Sequence, residues 1–296
     1  MVNSQTAVSL HEKLNMNSIS KIIILLVFAT IIACQNKQKI EILEFQNEAT
    51  NKYEFVFTDS INQAYYKNLA NHVNLDSIIR ETRTPTEVAV KLTDYTHDLW
   101  NHNGDNTPSK YEGITIINEA KTGEKFRCVE YSIVLTELLN AANIPARIIG
   151  LKTKDVETRK SGAGHVAVEY YDNTFKKWIY ADAQANVIAF VEDEPLNCVE
   201  LQKAIKDNEA LKINNYKQKE IKKFSNWIGQ YLYYFDSNFD QRVKSQERLS
   251  YKGNTQLMLI PTDANKPKLF QVKGLIENTI YTNSIGEFYP IMEHGD

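Results

Sequence analysis

Residues 127–147 read RCVEYSIVLTELLNAANIPAR, and the rest of the chain is organised around them. Cys128, Tyr131, Leu135, Leu138 and Ala142 recur at helical spacing, with Glu130 and Glu137 on another face. The pattern predicts an amphipathic helix that opens at Cys128, with the thiol on its buried side. Asn143, which tolerates the left-handed conformation, stands where that helix should stop, and Pro145 cannot continue it. Residues 146–151, ARIIGL, then read as a strand. A helix N-terminus offers the positive end of a dipole and unpaired backbone N–H groups, a setting that favours a thiolate nucleophile.

Downstream, a charged segment ending in SGAG at 161–164 delivers the chain to His165. Residues 165–171 and 176–182 alternate as strands around the turn-forming segment Asp172 to Phe175. A hairpin symmetric about Asn173 and Thr174 sets Tyr171 opposite Lys176, Glu169 opposite Trp178, and His165 opposite Asp182. Directly opposed Cβ atoms lie about 4.5–5.5 Å apart, within reach of an imidazole–carboxylate hydrogen bond. A structure in which His165 and Asp182 are not direct cross-strand neighbours defeats that register, because a one-residue slip sends them to opposite faces.

A thiol, a base and an orienting carboxylate make up a nucleophilic acyl-transfer site. Cys128 would attack, His165 would carry the proton, Asp182 would hold the ring, and the Cys128 backbone N–H would meet the oxyanion. The same residues also have purely structural uses: a buried cysteine, a hydrogen-bonded strand histidine and a strand-ending aspartate. A Cys128–Cys198 bridge would consume the thiol. No metal is expected, because His97 and His102 are five apart, off one helical face, and no Cys-x-x-Cys or His-Glu-x-x-His spacing occurs. No cofactor is expected either.

Upstream, residues 61–79 predict one helix, with Ile61, Tyr65, Leu69 and Val73 near helical spacing. Thr84, Pro85 and Glu87 form a capping-box signature for a second, carrying Val88, Leu92, Tyr95 and Leu99. A short helix through Ile114 and Ile117 follows. Beyond the hairpin, 199–211 and 218–235 predict helices, the latter rich in Trp227, Tyr231, Tyr233, Tyr234 and Phe235. Residues 256–260, 269–272 and 279–281 read as strands. A structural tether docking through its C-terminal part would expose the Tyr231 to Phe235 cluster.

The N-terminus reads as a processing signal. Lys21 precedes the apolar run 22–33, twelve residues long, short for a membrane span and suited to a signal peptide. The run ends in Ile31, Ile32, Ala33 and Cys34, which resembles the lipobox of bacterial lipoproteins, so Cys34 is expected to be the lipidated mature N-terminus. An uncleaved anchor helix is the alternative. Residues 1–15 are an odd lead-in for such a signal and read as a start-site artefact, with Met16 as the start. Gln35, rather than Asp, favours outer-membrane sorting by resemblance to enterobacterial lipoproteins. The expected address is the bacterial cell envelope, lipid-anchored, with the outer membrane as the destination.

A hydrophobic share of 43% over 296 residues can fill a substantial core, and a formal charge of −3 lacks the basic excess of a nucleic-acid binder. The helix and strand pattern predicts an α+β fold. Taken in order, Arg127 to Ser132, Leu138 to Arg147, Gly164 with His165, Val168 with Glu169, and Trp178 to Asp182 resemble the transglutaminase-like superfamily over roughly 86–190. The resemblance implies a papain-like core with a central Cys-bearing helix packed on an antiparallel sheet. It implies Cys128 as nucleophile, His165 as base and Asp182 as orienter. Val129, Asn143 and Ala167 depart from the family pattern, and Ala167 removes an aromatic wall. Trp100 and Asn101 are the candidates for a second oxyanion donor.

The expected organisation is a lipoprotein signal peptide at 1–33, a lipidated N-terminus and tether at 34–58, a transglutaminase-like domain at 59–238, and a C-terminal β-rich extension at 239–296 packed on the core. The expected activity is thiol-dependent acyl transfer on a peptide or carboxamide bond of a peptide or protein substrate. Hydrolysis leads, with cross-linking or deamidation and an inactive envelope binding module as alternatives. The expected second partner is a membrane, reached through the lipid.

Overall fold

The computed structural model describes residues 43–47, 52–214, 216–244 and 247–292. The signal segment, Cys34, and residues 35–42 and 48–51 of the tether lie outside the described residues. Among the described residues no helix is long and apolar enough to cross a membrane.

Helix α1 spans Ser60–Val73, capped by the Asp59 carboxylate, which accepts from the Asn62 N–H at 2.8 Å. One helix through 79 is not what forms: Asn74 takes a left-handed conformation (φ 56°), and a single further turn, α2 (Leu75–Ile78), follows. Asparagine pays little for that geometry, so it ends α1 where apolar spacing alone would continue it. Helix α3 (Pro85–Asp98) opens on the expected capping box, with the Thr84 hydroxyl accepting from the Glu87 N–H and the Glu87 carboxylate from the Thr84 N–H. Helix α4 covers Gly113–Lys121.

Helix α5 (Cys128–Ala141) is the spine of the fold. The sequence predicts one apolar face, but every residue from Glu130 to Asn140 is buried. The reason is its position: α1, α3 and α4 pack on one side, and the sheet on the other. Asn143 ends it at φ 60°, and the Asn140 side chain bonds both the N–H and the carbonyl of Ala146, fixing where the next strand begins.

Strands β1 (Ala146–Lys152), β2 (Gly164–Asp172) and β3 (Lys177–Ala181) form an antiparallel run beneath α5. A small sheet follows from β4 (Ala189–Val191), β5 (Glu194–Pro195) and, after α6 (Cys198–Asp207), β6 (Leu211–Ile213). Helix α6 stops short of its predicted end because Asn208 turns left-handed (φ 55°).

Helix α7 (Gln218–Ile228) also stops early. Tyr234 and Phe235, predicted as the end of that helix, instead open strand β7 (Tyr234–Asn238), hydrogen-bonded to β1. Aromatic residues favour a pleated, half-buried surface, and sheet pairing overrides the helical spacing here. Strand β8 (Gln256–Leu259), the ribbon of β9 (Leu269–Phe270) and β10 (Gly274–Leu275), strand β11 (Thr279–Thr282) and the short helix α8 (Ile285–Phe288) complete the chain. The main sheet runs β11-β8-β7-β1-β2-β3, antiparallel except between β8 and β11. A six-stranded sheet carrying one buried helix is an α+β architecture, with the central helix on a mainly antiparallel sheet that the sequence led us to expect.

The core lies between α5 and the sheet, with Leu135, Leu138, Ala146, Val168, Tyr170 and Ile179 among its fully buried members. Within the Tyr231 to Phe235 cluster Leu232, Tyr234 and Phe235 are buried and Tyr231 and Tyr233 half-buried, so none of it is exposed as a tether's docking surface would be.

Candidate active site

Cys128 opens α5, and its placement is the first departure from expectation. It is half-buried rather than sealed on the apolar face, so its side chain sits at the boundary between core and solvent. The turn before it is fastened by Glu130, whose carboxylate accepts from the Arg127 backbone N–H at 3.0 Å and from its guanidinium at 2.5 Å. A first-turn carboxylate that satisfies the N-cap donor is a capping arrangement, and it holds the helix start still.

His165 and Asp182 do meet: His165 Nε2 lies 2.8 Å from Asp182 Oδ2, both residues buried. They do not meet as direct cross-strand partners. The β2–β3 ladder pairs Asp172 with Lys177, Tyr171 with Trp178, and Val168 with Ala181. The connection is a four-residue loop, 173–176, in which Lys176 takes φ 54° and the Asp172 carboxylate accepts from the Thr174 N–H at 2.7 Å. Relative to the symmetric hairpin, the strands slide by two residues. A two-residue slide keeps every side chain on its face, so His165 and Asp182 become diagonal neighbours, still within reach.

Asp182 is fully engaged. Oδ2 also accepts from the Tyr180 hydroxyl at 3.0 Å, Oδ1 accepts from the Ala185 N–H at 3.1 Å, and its backbone bridges Val187. Burial opposes its charge, but His165 and these donors outweigh that and hold the carboxyl below the usual range. Burial likewise opposes charge on His165, yet Asp182 and a hydrogen bond to the Cys128 side chain raise its pKa to about 10. With Nε2 on Asp182, Nδ1 is the ring nitrogen left for the sulfur. Asp182 and Cys128 therefore both act on the His165 ring, and both favour its charged form.

Two aromatic residues on the far side of the imidazole were not assigned to the site by sequence. The Trp227 ring stands edge-on to His165 at 4.8 Å between centroids, and Tyr231 lies 5.9 Å from both His165 and Trp227. Both are half-buried and belong to α7 and the turn after it. Ala167, which lacks the aromatic ring frequent at its position, is buried against the sheet, and Trp227 forms a wall of the site from another element. The aromatic-rich sequence around Trp227 was the available signal, but its proximity to His165 is purely tertiary.

Of the two candidate second oxyanion donors, Trp100 turns inward. Its indole N–H donates to the Phe126 carbonyl at 3.3 Å, and its ring stacks at 4.2 Å from Tyr131, so its donor is spent. Asn101 is exposed on the same loop. Cys198 is buried at the start of α6, and like Cys128 it is a free thiol; burial pushes its pKa well up. His97 points Nδ1 at the Ala183 carbonyl at 2.9 Å, next to Asp182. Among the described residues no cluster of three or more His, Cys, Asp or Glu could hold a metal ion.

A cysteine at a helix start, with a buried His–Asp pair on adjacent antiparallel strands, is the arrangement that the sequence resemblance implied. Residues 74–183 match the family model of the transglutaminase-like superfamily. No curated protein matches the sequence. Among solved structures, the chain is similar to a candidate cysteine protease from Cytophaga hutchinsonii, at 15% identity and TM-score 0.33, covering 48% of this chain and 46% of that one. A candidate protease from Parabacteroides distasonis matches at 16% identity and TM-score 0.30, covering 41% and 26%. The chain thus spans less than half the length of either protein.

Proposed function

We propose that Cys128 forms a covalent acyl-thioester with a peptide or carboxamide donor and that water then releases the acid, making the protein a cysteine peptidase or amidase. The observation that carries this reading is the buried His165–Asp182 hydrogen bond at 2.8 Å, with Cys128 at a helix start acting on the same imidazole. The sulfur attacks the carbonyl carbon while its proton resides on His165 Nδ1. The oxyanion collapses, the C–N bond breaks, and the proton passes to the leaving amine. Water, deprotonated by His165, attacks the thioester, and the thiolate leaves. Cys128 is half-buried rather than sealed, a position that favours water as acceptor. An amine acceptor would give cross-linking by the same first step.

We further propose that the protein works in the bacterial envelope, anchored by lipid on Cys34 and delivered to the outer membrane. The apolar run before Cys34 supports this. The test for the activity is release of amine or carboxylate from labelled envelope peptides by wild type and Cys128→Ala side by side. Release by wild type alone is the expected result, and equal release by both would end the proposal. For the anchor, metabolic labelling with a fatty-acid probe should mark wild type and spare Cys34→Ala.

A further inference from the structure

An amine expelled from the acyl donor must take its proton from His165 Nδ1, so its nitrogen comes within hydrogen-bond reach of that ring, about 2.6–3.2 Å. Whatever group the nitrogen carries is brought close to the walls of the imidazole. Trp227 supplies one wall, its ring centroid 4.8 Å from that of His165, and Tyr231 a second, 5.9 Å from both. The two residues stand about one helical turn apart in sequence, and the Tyr231 N–H donates to the Ile228 carbonyl at 2.8 Å. Both lie outside the stretch that matches the family model, so the resemblance assigns them no role.

The wall is fastened at both ends. Phe224, buried, stands 6.1 Å from Trp227, and Tyr216 stands 6.4 Å from Phe224 with its hydroxyl donating to the Ala185 carbonyl. The Ala185 N–H donates in turn to Asp182 at 3.1 Å, so a row of aromatic rings links the loop that holds the carboxylate to the imidazole. At the other end the Gln230 side chain donates to the Trp227 carbonyl at 3.1 Å and accepts from Arg159 at 2.8 Å. Neither ring against His165 is sealed: Trp227 and Tyr231 are both half-buried, and among the described residues the Tyr231 hydroxyl has no hydrogen-bond partner. A tyrosine packed as core usually finds one. Burial raises the Tyr231 pKa, with Arg159 opposing and Cys128 adding to it, which places the phenol within electrostatic range of the nucleophile as well.

We infer that Trp227 and Tyr231 form the leaving-group subsite, and that it takes an amine bearing an aromatic or flat apolar side chain. This rests on the acyl-transfer reading. When the tetrahedral adduct collapses, the C=O bond re-forms, the C–N bond breaks, and nitrogen takes the proton from His165 Nδ1. The amine then departs past the two rings, which pack on its side chain. The favoured donor is a peptide bond with an aromatic residue on its amine side. Any amine that attacks the acyl-enzyme retraces this path and occupies the same subsite.

Partition of a single acyl-enzyme reads this subsite, because the amount of active protein and the rate of acylation cancel from the ratio. The full-length protein is acetylated by p-nitrophenyl acetate with phenethylamine or butylamine present at equal free-base concentration. The ratio of N-acetyl amine to acetate is taken after subtracting the Cys128→Ala background. In the transfer the amine nitrogen bonds the acetyl carbon, the thiolate leaves, and the surplus proton passes to His165. Wild type should favour phenethylamine by about tenfold, the scale of one aromatic contact. Trp227→Leu, which keeps apolar bulk without the indole, and Tyr231→Ala should each bring the two amines towards parity, and Trp227→Phe should keep most of the preference. Equal partition to both amines in wild type overturns the inference, as does the absence of any amide product or a preference that survives both substitutions. A fall that is the same for both amines would assign the rings to excluding water and overturn it too. Wild type that is never acetylated would instead defeat the acyl-transfer reading itself, which keeps the two failures apart.

Discussion

His165 carries the most information of any single residue, because its charge is set by two partners that chemistry can remove one at a time. Asp182→Asn takes away the main source of its raised pKa, so the ring should titrate well below about 10, nearer the ordinary 6.5. An NMR titration of the imidazole would read that shift directly, and the acylation rate should fall by about 10³-fold as the ring loses its orientation and charge. The same pair contributes to folding with a defined pH window. A raised histidine stabilises fully below its unfolded value and loses that contribution as pH climbs towards about 10. The lowered Asp182 contributes above its unfolded value near 3.8 and loses its share in acid. Denaturation midpoints of wild type and Asp182→Asn should therefore differ most between about pH 4 and 6.5 and converge at both extremes. At this scale residue type and motif order singled out Cys128, His165 and Asp182, and the structure places His165 on Asp182 and Cys128 at a helix start. Trp227, Tyr231 and Tyr180 were not singled out, because only the folded chain brings α7, the turn after it and β3 to the His165–Asp182 pair.

Among the elements, α5 shows how far spacing can mislead. Its apolar stripe was legible, yet Glu137, placed by spacing on a different face, is buried and accepts from the Tyr65 hydroxyl at 2.6 Å and the Gly113 N–H at 2.8 Å. Burial raises its pKa to about 7 against those donors, so it folds best protonated. A carboxyl raised in the fold contributes fully below its unfolded 4.5 and costs stability as pH rises through about 7. Glu137→Gln should therefore gain over wild type as pH increases, reaching about 3 kcal/mol above neutrality, readable by urea unfolding at pH 5 and pH 8. Gly113 is required here for a different reason: a Cβ on it would come 2.5 Å from the Glu137 carboxylate, so Gly113→Ala must displace one of the two. The hairpin teaches the complementary lesson. Its strands and the facing of His165 and Asp182 were legible from alternation, but the register was not, because nothing in the residue pattern announced that Lys176 would turn left-handed and carry the loop one residue along the chain.

For the molecule as a whole, the C-terminal segment is fastened to the core by a buried ion pair. Arg147 and Glu169, paired across β1 and β2, are fully buried, with guanidinium and carboxylate at 2.8 Å. The guanidinium also donates to the Phe288 carbonyl at 2.7 Å and lies over the rings of Trp178, Phe288, Tyr289 and Phe55, while Glu169 accepts from the Tyr289 hydroxyl and the Cys198 N–H. Residues near both ends of the described chain thus converge on one cation. Removing one member of such a pair leaves the other charged and buried, so Arg147→Met should cost about 3–5 kcal/mol. Arg147→Met with Glu169→Gln should recover part of that cost, since the glutamine still accepts from Tyr289 and Cys198; chemical denaturation of the two variants decides it.

This architecture has one chemical purpose if the proposal is right, which is to hold a sulfur that becomes acylated. Intact-mass and peptide-mapping spectrometry of the protein quenched in acid during turnover of p-nitrophenyl acetate tests that most directly. The account predicts a single acetyl group, mapped to Cys128, that disappears on standing and never forms in Cys128→Ala. An unmodified Cys128 in a turning-over sample, or the same turnover in Cys128→Ala, would contradict it.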